Sequence, residues 1–176
     1  YSIYNIAIGG SCAAKLNTAG NPERQEDLYG LYHLAKIART GNSKSLNVVK
    51  DGNNMDEIRK IECLSQIDMS KMDYIIISYG LNDYMAGVVT EGEDAFDETT
   101  YCGALRSGIR NLQTVSVATI VLASVTYATY PQEDGTFLDG YTKDYGGGTI
   151  DVYRDAAQKV AGEFENVVFF DALSEL

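Results

Sequence analysis

The chain is poor in histidine, cysteine and basic charge, and each shortage excludes something. Fourteen Lys and Arg face 25 Asp and Glu in 176 residues, a formal net charge of −11. That balance excludes a nucleic-acid partner, whose phosphates require clustered cations. It equally disfavours adhesion to an anionic membrane surface. No stretch approaches the roughly 18 apolar residues of a membrane span. Three cysteines (Cys12, Cys63 and Cys102) are an odd number without metal-ligand spacing, so a disulfide framework is not expected. They read as free, mostly buried thiols, which lean toward a reducing, cytoplasmic compartment and leave a secreted or surface-attached one open. The chain opens on Tyr1 rather than methionine, which reads as a processed or trimmed piece. The single histidine, His33, bears on mechanism.

What is present is a globular composition, 45% apolar, enough for one domain over residues 1–176 with a core of its own. Five apolar runs read as buried parallel strands: residues 3–8, 46–50, 73–79, 118–125 and 167–170. They are continuous rather than alternating, as strands covered on both faces are. Between them, apolar residues recur at helical spacing over 26–39, 54–67, 99–115 and 149–164, with Thr149 as a cap. This alternation predicts an α/β fold. It is a three-layer α/β/α sandwich around a doubly wound, flavodoxin-like, five-stranded parallel sheet in the order 2-1-3-4-5. Residues 84–98 and 127–148 read as irregular loops at the carboxyl edge of that sheet, where ligands bind. The tyrosines of the second loop (Tyr127, Tyr130, Tyr141 and Tyr145) fit two uses, lining a sugar or acyl pocket or anchoring the loop.

Three loops that follow successive strands carry unusual chemistry. Ser11 follows Ile6-Ala7-Ile8-Gly9-Gly10. Gly52 ends Asn47-Val48-Val49-Lys50-Asp51-Gly52. Asn82 and Asp83 close Gly80-Leu81-Asn82-Asp83. Alone, Gly-Gly-Ser also fits a tight turn whose serine caps the next segment. Together the three blocks resemble the SGNH (GDSL-type) hydrolase superfamily in order and spacing, from Ile3 to about Asp171. The Gly-x-Asn-Asp block is the most specific of them.

The resemblance implies a serine esterase or acylhydrolase for small acyl or acetyl esters, carbohydrate-linked ones included, working through an acyl-enzyme on Ser11. It also implies an oxyanion hole made by the backbone N–H groups of Ser11 and Gly52 and the side-chain amide of Asn82. Donors aimed in advance at the developing negative charge are what such a reaction requires. No cofactor and no metal are expected. Asp51, Asn53, Asn54 and Asp56 do not fit a calcium loop, and Gly146-Gly147-Gly148 lacks the rest of a phosphate loop. The expected partner is a small-molecule ester, with the oligomeric state left open.

Two departures from the family pattern stand out. Gly10 replaces the Asp that precedes the family's serine. No histidine follows Asp171, which reads as the end of the fifth strand rather than as the catalytic Asp. His33, in the first helical stretch, reads as structural or superficial. A serine hydroxyl needs a base. The resemblance implies that base in an Asp-x-x-His segment outside these residues. An acidic residue or another chain are the alternatives for that role. An O-acyltransferase on the same site and a non-catalytic binding module remain open as functions.

Overall fold

A computed structural model describes residues 2–16, 29–44 and 55–175. The run Tyr74–Ser78 forms β1, Thr119–Ala123 forms β2 and Val167–Phe170 forms β5. They pair in parallel in the order β1-β2-β5, with Ile76 opposite Val121 and Val121 opposite Val168. These are the third, fourth and fifth strands expected from the sequence, in their expected order. Consecutive β-branched residues favour the pleated strand.

The helices follow the apolar periodicity. They are α1 (Leu31–Thr40), α2 (Met55–Leu64), α3 (Leu81–Met85), α4 (Tyr101–Gln113), α5 (Ile150–Ala161) and α6 (Ala172–Glu175). Gly41 ends α1 in the left-handed conformation and donates its N–H to Ile37 O, the usual glycine stop. Thr100 caps α4 by accepting from the N–H of Gly103. Thr149 holds the N-cap position of α5 without a side-chain bond.

The main core lies between one face of the sheet and α4 and α5. Ile77, Ile120 and Leu122 meet Leu105, Ile109, Ile150, Tyr153 and Val160 there. A second cluster joins Ile8 and Tyr29 to Leu34 and Ile37 of α1 and Ile58, Ile61 and Leu64 of α2. No helix among the described residues is long and apolar enough to cross a membrane.

Three expectations are corrected. The five-stranded sheet is not formed among the described residues. Residues 3–8 are not a strand, and residues 46–50 lie outside the described residues. In residues 3–8, side chains take up backbone groups that a ladder would use: Asn5 Oδ1 accepts the N–H of Ala7, and Lys60 Nζ donates to Ala7 O. The sheet is also not covered on both faces by the described residues. Ile76 is 74% exposed, and Val168 and Phe170 on the same face are exposed too. Finally, the loop over 127–148 is not irregular throughout. Thr129–Pro131 (β3) and Phe137–Asp139 (β4) form an antiparallel hairpin. Gly135, at φ 81°, lies in its turn, and Asp134-Gly135 is a recognised hairpin signal.

The loop over 84–98 is tied down by one buried cation. Arg106 of α4 donates from Nε and Nη2 to Glu163 (2.6 and 2.7 Å) and from Nη1 and Nη2 to Glu91 (2.9 and 3.0 Å). It also donates to Ala95 O, and Lys159 pairs with Glu91 at 2.7 Å. Removing one partner of a buried pair strands the other charge. Arg106→Ala should therefore lower unfolding free energy by about 3 kcal/mol, measured by urea denaturation at neutral pH. The hydrogen bonds from Arg106 pull the Glu91 carboxyl from 4.5 down to about 2. Its stabilisation is present above pH 4.5 and fades as the pH falls toward 2. Glu91→Gln should flatten that acid slope in the same assay.

Candidate active site

Ser11 lies past the turn at Gly9-Gly10 and is 6% exposed. Gly10 has φ 78°, a left-handed conformation that glycine adopts freely and that Asp and Asn tolerate better than other residues. Glycine at position 10 meets that backbone demand without strain. The Ser11 hydroxyl donates to Ile8 O at 2.7 Å.

Across from this loop, β1 ends and the chain turns into α3 through Gly80. Its φ of 122° lies in the glycine-favouring region. A Cβ there would stand 2.6 Å from Tyr101 Oη and 2.7 Å from Val125 Cγ1. The turn delivers two successive side chains to the serine loop. Asn82 donates its Nδ2 to Ser11 O at 3.0 Å. Asp83, with 0% exposure, accepts the N–H of Ala13 on Oδ2 at 2.8 Å and that of Ala14 on Oδ1 at 2.9 Å. The sequence-predicted Ser11 and Asn82 are thus brought together. Gly52 lies outside the described residues.

An amide carries two N–H bonds. With one on Ser11 O, Asn82 keeps a second that can meet a developing oxyanion. Burial pushes the Asp83 carboxyl up from 3.8 to about 6, against the lowering effect of the Ala14 and Ala13 N–H groups. Ionising Asp83 therefore costs the fold: the contribution is fully present below pH 3.8 and is lost as pH rises through about 6. Tyr79 donates its hydroxyl to Tyr29 O at 2.9 Å and lies against Ser11. Burial pushes its phenol up to about 12, so at neutral pH it is a proton donor.

Other sequence-predicted residues fall elsewhere. His33 stands in the first turn of α1, which starts at Leu31 after Gly30, and its ring meets Tyr32 edge-on. Asp171 accepts from the N–H and hydroxyl of Ser174 and pairs with Arg154, which fits a strand-ending residue. No disulfide joins the three cysteines; Cys12 and Cys102 are buried, and Cys63 is exposed. The four loop tyrosines fall into two groups. Tyr130 and Tyr145 pack on Tyr84 of α3, with ring centroids 5.9 and 5.2 Å away, and anchor the loop. Tyr127 and Tyr141 pair with each other on the surface. The sequence reading did not single out Asp83 or Tyr79. Gly-Leu-Asn-Asp contained the first, but no local pattern tells which backbone groups a carboxylate will meet.

No family model matches this sequence, and no curated protein matches it. Solved structures do. One, described as "a possible lipase from Chitinophaga pinensis DSM 2588", is 20% identical with a TM-score of 0.49, over 68% of this chain and 46% of that one. A second crystal structure is 21% identical with a TM-score of 0.52, over 66% of this chain and 52% of that one. The chain spans about half the length of these structures, between 46% and 52%. At 21% identity the second likeness is one of fold.

Gly80→Ala should distort the α3 entry that carries Asn82 and Asp83. A loss of at least about 2 kcal/mol in urea denaturation is expected, from a strained φ combined with overpacking.

Proposed function

We propose that the chain carries the nucleophile half of an SGNH-type serine esterase, with Ser11 as nucleophile. The Ser11 and Gly52 N–H groups and the Asn82 amide are its oxyanion donors. The observation that supports this reading most directly is the 3.0 Å bond from Asn82 Nδ2 to Ser11 O. It ties the amide of one sequence block to the serine of another, 71 residues apart.

In the proposed reaction, Ser11 Oγ attacks the ester carbonyl carbon and its proton passes to a base. The carbonyl π electrons move onto oxygen, where the donors meet them. Collapse of this tetrahedral species expels the alcohol, which takes the proton from the base. Water then attacks the acyl-enzyme with the same base assisting, releasing the carboxylic acid and restoring Ser11. The resting bond from Ser11 Oγ to Ile8 O must be given up as the hydroxyl turns toward substrate. A histidine is the base that the family resemblance implies for this step. Small acyl and acetyl esters are the proposed substrates, and an acceptor sugar in place of water would make the same site a transferase.

Ser11→Ala should abolish nitrophenyl acetate turnover by the natural full-length protein and its labelling by a fluorophosphonate. Unchanged turnover, or a label mapped to another residue by mass spectrometry, contradicts the nucleophile assignment. Asn82→Ala should lower kcat by about 10²–10³-fold, the usual loss for one oxyanion donor.

A further inference from the structure

We propose that Asp83 is a positioning residue of this site: its carboxylate fixes the chain just after Ser11 and so aims the Ser11 N–H and hydroxyl. The proposal rests on the reading of Ser11 as the nucleophile. Its warrant is geometric. Oδ2 accepts the N–H of Ala13 and Oδ1 that of Ala14, while the backbone N–H groups of Gly80 and of Asp83 itself also favour the charged carboxylate. Only a group with two acceptor oxygens and no hydrogen between them can meet two successive donors in this way. An Asn would turn an NH₂ toward one of those N–H groups.

The next residue back on α3, Asn82, holds Ser11 O. Two adjacent side chains thus grip three points of the serine loop: Ser11 O, Ala13 N and Ala14 N. On the far side the loop is held by the N–H of Lys15 on Glu98 O at 2.7 Å.

The surroundings of Asp83 argue against a general stabilising role. A buried carboxylate is costly unless paired or fully hydrogen-bonded, and among the described residues no cation lies within ion-pair distance of Asp83. Among the described residues, the titratable groups around it are the phenols of Tyr79 after β1, Tyr101 on α4 and Tyr153 on α5, all raised above their ordinary values by burial, with the Cys12 thiol beside Tyr79 and Tyr153. The phenols stay neutral through the physiological range. The carboxylate changes charge near pH 6. When it takes a proton, one oxygen becomes a hydroxyl facing an N–H, and one of the two loop bonds is lost.

The test uses Asp83→Asn in the natural full-length protein. With folding verified by circular dichroism, kcat for nitrophenyl acetate should fall at least about tenfold while KM changes less than about threefold, the signature of misaimed rather than unbound substrate. In the unsubstituted protein, the backbone N–H resonances of Ala13 and Ala14 should shift together with a midpoint near pH 6, and that shift should vanish in the variant. A folded variant with undiminished kcat overturns the proposal. So do Ala13 and Ala14 resonances that stay fixed between about pH 5 and 8, and this second arm decides if the variant does not fold. If the unsubstituted protein shows no Ser11-dependent turnover, the esterase reading fails instead.

Discussion

A carboxylate shut off from the surface, with no cation beside it among the described residues, must satisfy itself on the backbone, and Asp83 does so on Ala13 and Ala14. Much of the described site depends on that bond pair. Residues 2–16 form no ladder with the sheet, so the strand edge does not set where the serine loop sits. Side chains reaching over from α3 set it, and α3 is placed by the end of β1. The parallel sheet thus governs Ser11 indirectly, through Gly80 and the two residues that its unusual backbone angle presents.

Much of the support for α3 comes from tyrosine. Tyr84 is fully buried among Tyr130, Tyr145 and Tyr153, and its hydroxyl donates to Lys143 O at 2.9 Å. Tyr153 bonds Val88 O from the other side. Each ring fills volume as an apolar residue would while its hydroxyl satisfies a loop carbonyl. The hairpin of β3 and β4 therefore braces the helix that holds the serine loop. Arg106 does similar duty for the segment after α3, through Glu91 and Ala95.

Legibility from sequence followed the strength of the local signal. The runs around Ile75-Ile76-Ile77, Ile120-Val121-Leu122 and Val167–Phe170 read as strands because β-branched and aromatic residues in unbroken series have few other uses. Residues 3–8 carry a similar run, yet Asn5 and Lys60 take up its backbone groups, a tertiary matter that no window of sequence contains. The three-residue strands β3 and β4 are too short for periodicity, and only Asp134-Gly135 marked them. At the site, Ser11 and Asn82 were legible as members of a spaced pattern. Asp83 was visible as a letter of that pattern but not as a clamp, because its partners lie 69 and 70 residues away. Side chains in long-range contact leave no period to read.

The central claim, which rests on the proposed esterase reading, is that α3 and the serine loop form one unit around the Ser11 hydroxyl. A crystal structure of the natural full-length protein with a phosphonate covalently bound to Ser11 Oγ tests it most directly, since the phosphoryl oxygen stands in for the oxyanion. The account predicts that oxygen about 2.7–3.1 Å from both Ser11 N and Asn82 Nδ2, with the Asp83 bonds to Ala13 and Ala14 intact. A phosphoryl oxygen turned away from Asn82, or a serine loop released from Asp83 in the adduct, would contradict it.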